Sequence, residues 1–485
     1  MIFSSPEFIF LFLPIAFLVY FILNKYRLTY VSKIWLVLAS LYFYSYWSFN
    51  YLPLMLCSIL FNYSLGVILA KVDGKKKLYL TVGITINLLT LAYYKYANFF
   101  LDNLNVLMGK NMHIAEHVLP IGISFYTFTQ IAFLVDSYKG KVKEFDLVNY
   151  TLFVTFFPHL IAGPILHHKE MMSQFRSKWT YFIRYKNILM GLMIFGIGLF
   201  KKTLLADTFA LWANAGFAPG MGHDFYSAWV TSLSYTFQLY FDFSGYCDMA
   251  IGAALLFNIW LPINFNSPYK SLDIQDFWRR WHITLGRYLR DYLYIPLGGN
   301  RCAVPRMYFN LFITFVLGGL WHGASWMFVI WGMMHGGALV IHRIWKSANL
   351  NLPNPLAWFI TFLYVNIAWV FFRAGSLSDA LNILKAMFSV PGSPNLNKMA
   401  VQNLSFTGSM TDTIGRVIPE GISFYIVPLI MIALGFVICS QKNSIEIVAY
   451  GNITNKKLLF VGFVSVLGLY MVLHTTSAVF LYFNF

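Results

Sequence analysis

Charge is what this sequence has least of. Asp, Glu, Lys and Arg make up only 11% of its 485 residues, against ~25% in an ordinary soluble domain. So few charged side chains cannot clothe a soluble fold of this length, and the soluble, disordered and fibrous classes fall away. Cysteine is scarce too: Cys57, Cys247, Cys302 and Cys439 stand far apart with no CxxC pair, so a disulfide framework, a clustered zinc site or a haem attachment has no support. HExxH, a GxSxG elbow, a Walker loop and a dinucleotide fingerprint are also missing, which takes support from metal, phosphoryl-transfer and redox chemistry.

What fills the space is apolar. Hydrophobic residues reach 58% and aromatics 19%, with 48 Phe and 31 Tyr, and mean hydropathy is +0.62. An all-α polytopic integral membrane protein is the class that fits. The net charge of +16 does not mark a nucleic-acid binder. Its basic residues come in short clusters between apolar runs (Lys75-Lys76-Lys77, Lys201-Lys202, Lys456-Lys457), as in loops that orient a membrane protein and meet anionic lipid.

Apolar runs from Phe8–Leu23 to Leu458–Tyr482, including Trp229–Leu256, Phe309–Leu320 and Trp326–Ile341, predict about 11–13 spans, several short enough to be half-helices or re-entrant. The first run lacks a basic leader and a small-residue cleavage site, so it reads as a retained helix. The charge rule puts both ends of the chain outside, because Lys25, Arg27, Lys71–Lys77, Lys139–Lys143 and Lys456-Lys457 fall inside. It gives no orientation between about 148 and 260. Leu101–His117 and Pro391–Glu420 read as loops, and Asn264–Arg306 as a charged, aromatic block between apolar regions. We expect one membrane domain over 1–485, with N-terminal helices at 1–118, a catalytic core at 119–345 containing the interfacial segment 264–306, and C-terminal helices at 346–485.

Polar residues inside apolar runs are the candidates for function, since a charge at mid-bilayer costs roughly 2.5–3.5 kcal/mol on insertion scales. In Tyr235–Asp248, a helix puts Gln238 and Asp242 on one face and Ser244 and Asp248 on another. Such a helix must line a wet cavity or pair internally, and both aspartates could equally be structural partners of buried arginines. Next, Phe277, Trp281, Leu285, Tyr288 and Tyr292 recur at helical spacing, predicting a helix across 273–292 with Asp273 as its cap and an Asp276–Arg280 pair. Trp278, Arg279 and Arg280 beside this stripe suit either interfacial anchoring or an anionic ligand such as a pyrophosphate. His282 sits within it. Then Gly318-Gly319-Leu320-Trp321-His322-Gly323 sets a histidine among glycines that could make room for a substrate. His335 is read as an interhelical hydrogen bonder on a face away from His322, provided one helix carries both. A histidine is the natural base for deprotonating a hydroxyl at neutral pH.

These strings together resemble a known family. Leu119-Pro-Ile-Gly-Ile-Ser-Phe-Tyr126, Phe157-Pro-His159-Leu-Ile-Ala-Gly-Pro164, Gln238-Leu-Tyr-Phe-Asp-Phe-Ser-Gly-Tyr246, Asp276-Phe-Trp-Arg-Arg-Trp-His282, Arg290-Asp-Tyr-Leu-Tyr-Ile-Pro-Leu-Gly-Gly-Asn300 and Gly318-Gly-Leu-Trp-His-Gly323 occur in the order found in the membrane-bound O-acyltransferase (MBOAT) family. The nearest subgroup is that of bacterial alginate and peptidoglycan O-acetylation membrane proteins. The resemblance implies a ring of helices around a central funnel, in the bacterial cytoplasmic (inner) membrane. It implies acetyl transfer from a cytoplasmic thioester, acetyl-CoA, toward a cell-envelope polysaccharide, with an extracytoplasmic O-acetyltransferase as partner and no bound cofactor or metal. The family's signature histidine maps onto His322 and its second active-site polar residue onto His282. Arg279, Arg280 and Trp278 then become donor-binding candidates, and Gln238, Asp242, Ser244 and Asp248 supporting groups. The sequence closes Phe480-Leu-Tyr482-Phe-Asn-Phe485, similar to an aromatic tail of this subgroup, which makes Tyr482 a candidate acyl relay; an interfacial Tyr/Phe belt is the plainer reading. A transporter or flippase of a lipid-linked sugar and a non-catalytic scaffold are the rival functions.

Overall fold

A computed structural model describes residues 1–47, 49–72, 74–114, 118–161, 163–390, 420–449, 453–475 and 480–481. Among these residues the structure is helical, with no strand. Six helices are long and apolar enough to cross a membrane by length and composition: Glu7–Lys25, Phe49–Lys71, Tyr185–Gly216, Trp326–Ser347, Asn354–Arg373 and Asn455–His474. Among the described residues, the other runs expected as spans do not meet both the length and the composition criterion.

The chain forms two compact units, each assembled from separate stretches: Met1–Gly196 with Tyr246–Ile263, and Ile197–Gly245 with Asn264–Phe485. In the first, a π-helical turn at Glu7–Phe12 leads into α1 (Leu13–Lys25), followed by α2 (Thr29–Ser45), α3 (Leu52–Lys71), α4 (Lys76–Leu91), α5 (Ala97–Met108), α6 (Ile123–Tyr138) and α7 (Leu147–Thr155). Pro14 and Pro53 sit in the first turns of α1 and α3, where a missing N–H costs nothing. Apolar side chains gain little by leaving lipid, so helix association leans on close packing and polar contacts. Asn62 of α3, Asn87 of α4 and Gln130 of α6 supply such contacts. Asn87 Nδ2 donates to Asn62 Oδ1 at 2.7 Å, and Asn62 Nδ2 donates to Gln130 Oε1. The segment read as a loop over Leu101–His117 instead begins inside α5. Phe100, Leu104 and Leu107 give it helical apolar spacing, and Gly109, at φ +61°, ends it in the left-handed conformation that glycine tolerates.

Two long helices supply residues to both units: α8 (Tyr185–Phe200) and α9 (Phe225–Leu256). The second unit continues with α10 (Ile274–Arg280), α11 (Ile283–Leu289), α12 (Val304–His322), α13 (Trp326–Ser347), α14 (Asn354–Arg373), α15 (Glu420–Ser440) and α16 (Asn455–His474). The expected tract Pro391–Glu420 lies, up to 419, outside the described residues.

Three expectations need correction here. Lys201-Lys202 is no headgroup-facing cluster. Both lysines are buried in a π-helical stretch, Lys201–Ala206, that continues α8. Lys202 is tolerated there because two carboxylates flank it, Asp207 at 2.7 Å and Asp242 at 2.8 Å. The single helix expected across 273–292 is broken at His282, for a reason given below. Finally, Leu458–Tyr482 is not one span: α16 ends at His474, and Thr475 is extended.

Helices α12 and α13 form a tight hairpin at glycines. A Cβ at Gly319 would collide with the Phe328 carbonyl oxygen and lie 3.0 Å from the Gly332 Cα, whereas a Cβ at Gly337 on α13 would meet nothing within 4 Å. Gly319→Ala should therefore cost about 1–3 kcal/mol of stability, the usual penalty of overpacking, and Gly337→Ala less than about 0.5 kcal/mol. Thermal unfolding of the two variants in detergent checks this; equal effects would refute the packing assignment.

Candidate functional site

The second unit brings the two candidate histidines together. His322 is the last residue of α12, and Gly323 is extended at φ −165° before Ser325 caps α13 by accepting from the Met327 N–H at 3.2 Å. His282 lies between α10 and α11 in the left-handed region, at φ +43° and ψ +51°. Their ring centroids are 6.4 Å apart.

That turn at His282 is unusual for a side-chain-bearing residue and costs about 1–2 kcal/mol. Hydrogen bonds from the strand-like segment 264–266 offset it. The Ile283 N–H donates to the Asn264 carbonyl at 3.0 Å, and the Asn266 N–H donates to the Arg280 carbonyl at 2.9 Å. Asn264 Oδ1 accepts from the Thr284 N–H at 3.2 Å and from the Thr284 hydroxyl at 3.0 Å. These bonds take backbone groups that a continuous helix would have used. Of the apolar stripe, Phe277, Trp281, Leu285 and Tyr288 are buried and Tyr292 is half-buried, but two helices carry the stripe and not one. Asp273 does cap α10, accepting from the Asp276 N–H at 2.7 Å, and Arg280 Nε does pair with Asp276 at 2.9 Å.

Asn264 also fixes the tautomer of His282. Its Oδ1 receives a backbone N–H, so that atom is the oxygen and only accepts. His282 Nδ1, 3.1 Å away, must then be the protonated nitrogen, which leaves the lone pair on Nε2. The ring is fully buried, with Phe243 edge-on at 4.9 Å. Burial lowers the His282 pKa to about 3, so the imidazole is neutral throughout the physiological range.

His322 is packed by aromatic rings: Trp321 at 5.0 Å, Trp331 at 5.1 Å and Phe372 at 5.2 Å. The flanking glycines do not open a space around it, as their positions had suggested. A Cβ at Gly323 would collide with the Phe328 ring, and Gly319 is covered by α13 backbone. The helix breaks at Gly323, so His322 and His335 sit on different helices and both touch Trp331, with His335 at 4.7 Å. The rotation argument separating them assumed one helix and does not apply.

The other candidates are distributed as follows. Trp278 Nε1 donates to His335 Nδ1 at 3.1 Å, a commitment the sequence did not signal. Arg279 is exposed and Arg280 is tied to Asp276. Gln238, Asp242, Ser244 and Asp248 are all buried on α9. Gln238 Oε1 and Ser244 Oγ have no hydrogen-bond partner among the described residues. Asp242 is held by a lysine, Lys202, and not by an arginine. Tyr482 lies outside the described residues. A cavity of about 550 Å³ occurs elsewhere in this unit, between α13 and α14, lined in part by Asp273, His342, Lys346 and Tyr364; neither His282 nor His322 lines it. No group of three or more His, Cys, Asp or Glu side chains able to hold a metal occurs among the described residues.

Comparison with known proteins agrees with the motif reading. The sequence model of the membrane-bound O-acyltransferase family matches residues 41–374. The chain is 45% identical to a peptidoglycan O-acetyltransferase of Helicobacter pylori, over 100% of this chain and 98% of that protein. It is 42% identical to a probable alginate O-acetylase of Pseudomonas aeruginosa, over 84% of this chain and 78% of the other. A teichoic acid D-alanyltransferase of Bacillus subtilis matches at 28% over 52% of this chain and 68% of its own length. A multi-pass membrane protein with this helical architecture and these relatives belongs to the membrane-bound O-acyltransferase family and is an O-acyltransferase.

Proposed function

We propose that this O-acyltransferase moves an acetyl group from a cytoplasmic thioester, acetyl-CoA, across the inner membrane for O-acetylation of a cell-envelope polysaccharide. Peptidoglycan is the favoured acceptor, because likeness to a peptidoglycan O-acetyltransferase extends over the whole chain; an alginate-like polymer is the second candidate. The observation that carries the reading is the meeting of His282 and His322, with ring centroids 6.4 Å apart although their motifs are distant in sequence.

His322 acts as the base. It takes the proton of the accepting hydroxyl as the oxygen attacks the thioester carbonyl, and the tetrahedral intermediate then expels the thiolate, which recovers the proton. One C–O bond forms, one C–S bond breaks, and no metal or redox partner enters the balance. His282, neutral and fixed in its Nδ1–H form, presents Nε2 as a hydrogen-bond acceptor that orients the reacting hydroxyl or the His322 ring. The donor lies beside Trp278, Arg279 and Arg280, whose guanidinium groups suit a pyrophosphate. Tyr482 is the proposed relay to an extracytoplasmic O-acetyltransferase partner.

In purified protein given labelled acetyl-CoA and acceptor, His322→Ala should lower transfer by about 10²–10⁴-fold, the range of a lost general base. In cells the same variant should abolish polymer acetylation while polymer export stays normal. Loss of export with intact transfer would support the transporter reading instead.

His282→Asn keeps a donor for Asn264 Oδ1 but deletes Nε2. We expect normal folding and a rate loss of about a hundredfold; an unchanged rate would reduce His282 to a structural turn.

The depressed His282 pKa also sets a stability slope. Below about pH 6.5 the unfolded chain binds a proton at this position that the folded chain refuses until about pH 3. Stability therefore falls as pH drops through that window and is unaffected by this group above it. His282→Asn should flatten the melting temperature between pH 4 and pH 6.5 (approximate bounds of the same window), and an unchanged slope would contradict the assignment.

A further inference from the structure

Asp242 belongs to a buried charge cluster that the proposed chemistry does not use. Its side chain is 2% exposed and that of Lys202 is 4% exposed. One ammonium lies between two carboxylates, 2.8 Å from Asp242 and 2.7 Å from Asp207. A carboxylate in an apolar interior is stable only where cations and hydrogen-bond donors meet it.

The second carboxylate oxygen of Asp242 meets such a donor. It accepts the backbone N–H of Leu481 at 2.9 Å, a contact across 239 positions of sequence. Phe480 and Leu481 are buried, at 2% and 7% exposure. Phe480 and Leu481 therefore lie within the second unit and not at a lipid-facing or solvent-facing surface. The Phe480 ring lies 6.0 Å from Phe243, and Phe243 lies 4.9 Å from His282. One aromatic ring separates Phe480 from the imidazole.

We propose that Asp242 is a positioning residue that fastens the segment 480–481 against Phe243 and so completes the wall on that side of His282. Lys202 and Asp207 hold the carboxylate so that Oδ2 faces the Leu481 amide, and an ionised acceptor makes that hydrogen bond stronger than one between neutral groups. This assignment stands whether or not an acyl group passes through Tyr482; it draws on the O-acyltransferase activity only for a readout.

Hydrogen exchange followed by mass spectrometry on the full-length protein in detergent tests it without any activity. The Leu481 amide should exchange at least about a hundredfold more slowly than an unstructured amide, and Asp242→Ala should abolish that protection. An unprotected amide in the wild type, or equal protection in both proteins, would overturn the proposal. Because Asp242→Ala leaves Lys202 with Asp207 alone and can disturb folding, a second pair of variants leaves the charge cluster intact. Leu481→Pro removes the donor along with the leucine side chain, and Leu481→Ala loses the side chain but keeps the donor. Acyl transfer should fall about tenfold in the proline variant and stay within about twofold in the alanine variant. Equal rates in the two would also overturn the proposal. Unchanged transfer in His322→Ala with normal Leu481 protection would sink the catalytic reading and leave this seat standing.

Discussion

The site depends on a single side-chain oxygen. Asn264 Oδ1 gathers the Thr284 N–H, the Thr284 hydroxyl and the His282 Nδ1–H, and these three contacts hold residue 282 in a backbone conformation it would otherwise avoid. The consequence is geometric as well as electronic. The left-handed residue ends α10 and starts α11 in a new direction, which leaves the imidazole within 6.4 Å of His322. The same oxygen dictates which nitrogen carries the proton. Net hydrogen-bond contributions of about 0.5–1.5 kcal/mol each are sufficient to offset the strain of one turn, and burial of Phe277 and Trp281 on the α10 side anchors it.

A second theme is that polar groups in this apolar chain are matched in sets. Asn62, Asn87 and Gln130 bind one another between α3, α4 and α6. Lys202 is neutralised from two sides. Trp278 and His335 form a donor–acceptor pair between α10 and α13. Each set joins elements that lipid-like side chains alone would hold only weakly, so the rare polar residues specify which helices touch. Glycine does the rest at the α12–α13 hairpin, where close backbone approach explains Gly319 and the Phe328 ring packed against it explains Gly323.

Much of this was legible beforehand. Composition alone gave a polytopic helical protein, and the strings around His282 and His322 gave the family. The Asp273 cap and the Asp276–Arg280 pair followed from local rules of helix chemistry that tertiary context did not overturn. The failures have a common cause. Periodicity carried the stripe from Phe277 to Tyr292 unbroken, because nothing in residues 273–292 reveals a hydrogen-bond partner at Asn264. Lys201-Lys202 resembled a loop cluster because its neutralising carboxylate on α9 is 40 positions away from Lys202 in sequence. A lysine inside an otherwise apolar run could have been paired with Asp242 by asking where its charge goes. The burial of residues 480–481 had no signal in composition, since an apolar segment suits lipid and protein interior equally.

The central claim is that the thioester reaches the pair formed by His282 and His322. Cryo-electron microscopy of the protein with a non-hydrolysable acetyl-CoA analogue measures this directly. The account predicts the acyl carbon beside His322, with room for one hydroxyl at hydrogen-bonding distance, about 3 Å, from its ring. An analogue whose acyl carbon sits in the cavity between α13 and α14, with both histidines still enclosed by their aromatic neighbours, would contradict it.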